Sequence, residues 1–150
     1  KIQRVKKQPM IEIINRQKSC WIDKEKFNSF MKKIIELFDI GDPEVNLTFV
    51  DDQEISTLNK QYRDIDAPTD VLSFPMNETG PDGKFYLGDI VISVPKALKQ
   101  SIDKKHSLEK ELKLLTVHGF LHLLGYEHFK GIDTQEKKII DLLKDEINGN

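Results

Sequence analysis

A single cysteine, Cys20, occurs among the 150 residues. An internal disulfide framework is therefore excluded, and a reducing compartment, the cytoplasm, is the expected location. Long hydrophobic runs are also lacking. The longest, Phe120 to Leu124, is broken by His122 and falls far short of the ~20 residues a membrane span requires, so no membrane association is expected. The lysines near the N-terminus have no apolar stretch behind them, so no secretory signal is expected. Neither sign of charge dominates: 23 Lys and Arg against 25 Asp and Glu leave a net charge of −2. That balance argues against a wholly basic nucleic-acid coat but leaves room for a local basic face. Repeats and low-complexity tracts are absent. Leucine, isoleucine, valine and phenylalanine recur throughout, although only 38% of residues are hydrophobic and 32% are charged. Such a chain is not disordered, and residues 1–150 are expected to form one domain.

Local patterning sets out the elements. Ile11 and Ile13 suggest a first short strand. Asp23 suits a helix N-cap with Glu25 in the first turn. Phe27, Phe30, Met31, Ile34, Leu37 and Phe38 then follow helical spacing until Gly41, Asp42 and Pro43 stop it. Val45, Leu47 and Phe49 alternate with polar residues as a half-buried strand does. Asp51 with Glu54 resembles a capping box, ahead of Ile55, Leu58 and Tyr62 on the inner face of a second helix. A polar segment from Arg63 to Asp70 leads to a strand at Val71 to Phe74. This strand–helix–strand unit predicts a right-handed parallel crossover.

Gly80 to Gly83 form a loop before a strand at about Phe85 to Val94, and the short connection favours antiparallel pairing. Pro95 opens a third helix, and Ser107 caps a fourth that runs to Leu124 and ends at Gly125. Asp133 with Glu136 begins a last helix whose Ile139, Leu142, Leu143 and Ile147 face inward. The expected architecture is α+β: a small mixed sheet of about four strands covered by about five helices.

The segment that carries chemistry is His118-Gly119-Phe120-Leu121-His122-Leu123-Leu124-Gly125-Tyr126-Glu127-His128. Residues four apart on a helix lie about 40° apart around its axis, so His118 and His122 stack on one face. The helix ends at Gly125, where the chain can turn back and deliver His128 to the same point. Three neutral imidazoles and one open position describe a catalytic zinc site. A lone helical histidine pair is more often structural. Here, however, Leu114, Leu115, Val117, Phe120, Leu121, Leu123 and Leu124 make the helix mostly buried, and buried histidines need partners. The spacing is that of the metzincin pattern, with Gly119 in the place of the glutamate base. Glycine accepts no proton, so peptide hydrolysis by the usual route is disfavoured. A more activated electrophile, such as a phosphodiester, remains within reach if a cation offsets the developing charge.

Arg63 is the candidate cation. Only three arginines, Arg4, Arg16 and Arg63, stand against 20 lysines. Arg63 precedes a polar loop, and its planar fork suits a phosphate. A helix C-terminal cation serving the helix dipole is the competing reading. Among lesser candidates, His106 is expected to be solvated, Cys20 packed or inert, and Trp21 a packing residue. Lys1, Arg4, Lys6 and Lys7 are candidate nucleic-acid contacts or a frayed basic end.

The segment HGFLHLLGYEH resembles the signature of the bacterial YbeY family of rRNA-maturation endoribonucleases. Leu58-Asn59-Lys60-Gln61-Tyr62-Arg63, then Asp66, then Pro68-Thr69-Asp70-Val71-Leu72-Ser73-Phe74-Pro75 is similar to a second hallmark, and Leu87-Gly88-Asp89-Ile90 to a third. Glu127 stands where aspartate is usual and Ile65 where lysine is usual. The resemblance implies one Zn2+ per chain on His118, His122 and His128, with Arg63 as the arginine of RNA cleavage. It further implies single-stranded RNA as substrate, maturation of the 3′ end of 16S rRNA, ribosome quality control, and small-subunit ribosomal proteins as candidate partners. Two other readings stay open: a zinc peptidase or other small hydrolase, and a ribosome-assembly factor whose zinc is mainly structural. A structural site usually closes with four protein ligands, often cysteines, and Cys20 lies far off in sequence.

Overall fold

The computed structural model describes residues 8–127 and 131–149. Lys1, Arg4, Lys6, Lys7 and His128 lie outside them. The described elements are β1 (Met10–Asn15), α1 (Lys24–Glu36), β2 (Glu44–Val50), α2 (Asp52–Arg63), β3 (Val71–Thr79), β4 (Phe85–Ser93), α3 (Val94–Asp103), α4 (Leu108–Leu123), α5 (Ile132–Leu142) and α6 (Lys144–Ile147). This is an α+β fold with one four-stranded mixed sheet, in the order β1-β2-β4-β3.

Capping residues start α1, α2 and α4 where the sequence predicts. The side chains of Asp23, Asp51 and Ser107 accept hydrogen bonds from the backbone N–H three residues on, at Lys26, Glu54 and Lys110. Each satisfies one of the orphan donors at a helix N-terminus. Gly125, at φ 94°, closes α4. Its N–H donates to the His122 carbonyl, and that of Tyr126 to the Leu121 carbonyl, which is the Schellman arrangement.

The strand order corrects one expectation. β1 and β2 pair in parallel across α1, but β2 and β3 are not neighbours. β4 lies between them, parallel to β2 and antiparallel to β3, so the unit through α2 is no parallel crossover. Burial explains the order. Ile90, Val91 and Ile92 of β4 are buried on both faces of the sheet, as a central strand requires. β3 carries Pro75, which has no N–H to give to a ladder and therefore belongs at an edge.

The larger core lies on one face, where α1 and α4 cover Leu47, Phe49, Ile90 and Ile92. On the other face α2 sets Ile55 and Leu58 against Leu72, Phe74 and Val91. Four further expectations fail. Trp21 is 84% exposed, and its neighbour Ile22 takes the buried place. His106 is not solvated: its Nε2 lies 2.7 Å from Oε1 of Glu111, a fully buried carboxylate that needs such partners. Leu142 is 56% exposed, because the buried stripe of the last helices passes from Ile139 to Leu143 and Ile147. Asp133 and Glu136 do not cap α5, whose N-cap is Gly131.

α4 approaches the sheet closely at Gly119. A Cβ there would lie 2.6 Å from Cγ2 of Ile90 and 3.2 Å from both Ser73 Oγ and Val71 Cγ2. Gly119→Ala should destabilise the fold by about 1–3 kcal/mol through overpacking. At roughly 2–4 °C per kcal/mol for a domain of this size, calorimetry would read a lowered midpoint. A midpoint equal to wild type would show that α4 shifts outward without cost.

Candidate metal centre and the groove over the sheet

α4 is apolar around most of its circumference and buried, so its polar residues matter. His118 and His122, one turn apart, present their Nε2 atoms to each other at 3.0 Å, with ring centroids 4.6 Å apart. The other ring nitrogen of His118, Nδ1, is hydrogen-bonded to Oε1 of Glu136 on α5. That bond, outweighing partial burial, holds the His118 pKa above its ordinary value, with added pull from the carboxylates of Glu136, Asp70 and Asp133. Asp70 itself is fixed at the start of β3. Its Oδ1 accepts from the Val71 N–H at 2.7 Å and its Oδ2 from Gln100 Nε2 at 3.3 Å.

Of the residues predicted to form the site, the fold thus brings His118 and His122 together, while the third, His128, lies outside the described residues. Among the described residues no group of three or more His, Cys, Asp or Glu is placed to hold a metal ion. The donor chemistry of the pair nevertheless suits a divalent metal. Two nitrogens about 2.0–2.1 Å from a tetrahedral zinc stand about 3.3 Å apart, close to the observed separation. Position 119 offers no carboxylate, and strands β3 and β4 fill the space one would need.

Arg63 is the last residue of α2, which packs on the opposite face of the sheet from α4. It is exposed, and among the described residues its guanidinium makes no hydrogen bond or ion pair. The loop after it is held in place. Asp64 adopts φ 58°, Ile65 N–H donates to the Asn59 carbonyl, and Asn59 Nδ2 donates to the Ala67 carbonyl. Beside Arg63, Tyr62 is 61% exposed and meets Phe74 edge-on at 5.1 Å. They line an open groove of about 590 Å3 that also takes in Met76, Asn46 and Asp89.

Sequence reading missed Glu136, taken there for a cap, and it missed the polar network beside this groove. Tyr86 Oη donates to Asp89 Oδ1 at 2.5 Å, and Asn46 Nδ2 donates to both that oxygen and the phenol. Partial burial and the bond to Asp89 push the Tyr86 phenol far above its ordinary value of 10.0. The folded value exceeds the unfolded one, so this contribution to stability is fully present below about pH 10 and is lost as pH climbs through the folded value. In an absorbance titration, Tyr86 should ionise well above the ordinary phenol value, and Asp89→Asn should lower its pKa. Ionisation of Tyr86 at the ordinary phenol value would refute the network.

Known proteins resemble this chain along most of its length. A family model described as Endoribonuclease YbeY matches residues 12–149. The protein called Endoribonuclease YbeY from Oceanobacillus iheyensis is 54% identical over 107 residues, covering 66% of this chain and 68% of that protein. Its namesake from Aquifex aeolicus is 46% identical over 121 residues, covering 81% and 79%. The solution structure of TM1509 from Thermotoga maritima superimposes with a TM-score of 0.60 at 32% identity, covering 92% of this chain and 89% of that one.

Proposed function

The chain belongs to the YbeY family of endoribonucleases, and on that premise we propose that it is a zinc-dependent endoribonuclease acting on single-stranded RNA. His118, His122 and His128 hold one zinc per chain. The observation that carries this reading is the convergence of the two Nε2 atoms at 3.0 Å on a helix backed by the sheet. Zinc bound there supplies a water acidified towards neutral pH. The remaining work falls to the chain's own side chains. As neutral imidazole ligands the histidines would leave the positive charge of a bound zinc uncancelled, and the buried helix beneath fixes the spacing of His118 and His122.

Arg63 meets the RNA backbone and offsets charge developing on the phosphoryl oxygens, a task its planar fork suits. Its exposure, and the lack of any bond from its guanidinium among the described residues, support this role. The glycine at position 119 weighs against a peptidase, since no general base can stand there. We extend the proposal to maturation of the 3′ end of 16S rRNA, ribosome quality control, small-subunit ribosomal protein partners and a cytoplasmic location, which the resemblance to the family supports. Among the described residues no helix is long and apolar enough to cross a membrane.

His122→Ala should lower zinc content and abolish RNA cleavage, while His106→Ala leaves zinc in place. Elemental analysis of the purified variants measures this, and full zinc retention in His122→Ala would sink the assignment. Arg63→Ala should keep its fold and zinc yet cleave a single-stranded RNA about 10²–10³ times more slowly, with Arg63→Lys recovering only part. Wild-type cleavage rates in Arg63→Ala would leave Arg63 a mere helix-end cation.

A further inference from the structure

Glu136 occupies an unusual position on its helix. Ile132 and Ile139 of α5 are buried at 0% and 2% exposure and anchor that helix on α4. Residue 136 falls on the same stripe, four after Ile132 and three before Ile139, where helical spacing calls for an apolar side chain. The carboxylate found there turns towards α4 and bonds Nδ1 of His118. Both side chains are largely withdrawn from water, at 22% and 26% exposure, so the bond is screened less than a surface pair. The opposite nitrogen of the same ring, Nε2, is the one that faces His122.

From this geometry we propose that Glu136 is a positioning residue for metal binding: it accepts the Nδ1–H of His118 and so fixes the tautomer whose Nε2 lone pair faces His122. The inference rests on the zinc site proposed above and assigns a function to a residue outside its ligand set. An imidazole free to choose its tautomer spends part of its time with a proton on the nitrogen that must ligate, and free to rotate it loses the convergence with His122. A carboxylate on the far nitrogen removes both losses and makes the ring a stronger donor. Asp133, on the same helix, adds charge near His118 without that bond. It therefore separates the effect of a hydrogen bond from that of nearby negative charge.

The test is zinc affinity, measured by competition with a chromophoric chelator. Glu136→Ala should bind zinc about 10–100-fold more weakly than wild type. Glu136→Gln, whose amide oxygen still accepts from Nδ1–H, should recover much of that loss, and Asp133→Asn should change affinity little. Nitrogen chemical shifts of the metal-free protein supply a readout independent of the metal: His118 should hold its proton on Nδ1 in wild type and in Glu136→Gln, and spread it over both nitrogens in Glu136→Ala. Should the alanine variant fail to fold, Glu136→Met, apolar and of similar length, carries the same comparison. Wild-type affinity in a folded Glu136→Ala or Glu136→Met, beside a His122→Ala that has lost zinc, would overturn this proposal and leave the zinc site standing. Retention of zinc by His122→Ala would instead remove the site on which the proposal rests.

Discussion

The close seat of α4 on strands β3 and β4 is the constraint on which the rest of the structure depends. It exists because residue 119 has no side chain. The Gly119 carbonyl accepts a hydrogen bond from Ser73 Oγ at 2.8 Å, so helix and edge strand are joined by polar as well as apolar contact. With one side of α4 pressed on the sheet, α1, α3 and α5 take up the others, and the helix is left with little contact with water. A histidine on such a helix must face a polar partner, and His118 and His122 face each other. The glycine that removes the glutamate of a zinc peptidase is thus also the residue that lets the histidine helix reach the sheet. One position settles both packing and the range of chemistry.

Burial of α4 places the same demand on its other polar residues, and each is met locally. Glu111, with no exposure, accepts from Lys104 Nζ at 3.2 Å and lies against His106. Lys113 Nζ donates to the Glu146 carbonyl at 2.5 Å and lies over the Phe30 ring. Thr116 Oγ1 donates back to the Leu112 carbonyl at 2.7 Å. Removing one partner from such a pair leaves a buried group unsatisfied, which costs more than the intact pair contributes. His118 with Glu136 follows the same rule, and what sets it apart is that its second ring nitrogen is committed to the histidine pair.

What the sequence reveals divides by range. The caps at Asp23, Asp51 and Ser107, and the glycine stop at residue 125, depend on spacings of three or four residues, and the structure reproduces them. The face shared by His118 and His122 is local in the same sense. Strand order is not local: β3 and β4 follow one another in sequence, but only the double-sided burial of Ile90 to Ile92 makes β4 central. Glu136 illustrates the limit most clearly. Its distance of three from Asp133 imitates a capping box, whereas its partner His118 lies 18 residues away on another helix. A signal was available in its place on the apolar stripe between Ile132 and Ile139. Trp21 misled in the opposite direction, because hydrophobic size alone cannot distinguish it from Ile22, which the fold buries.

The edge strand β3 connects the two halves of the candidate site. Successive residues of a strand point to opposite faces, and here Val71 and Ser73 meet α4 while Leu72 and Phe74 meet α2. The helix bearing the histidines and the helix bearing Arg63 therefore grip the same four residues from opposite sides. Asp70, which opens this strand, adds its charge to the surroundings of His118, and the anchored loop before it runs back to Arg63. Under the proposed function, an RNA reaching both helices would follow the edge of β3, the strand they share. An unpaired strand is flexible enough to follow such an edge, whereas a base-paired helix is far stiffer. Under the proposed function, a preference for unpaired RNA would then come from the shape of the sheet edge and require no contact that reads sequence.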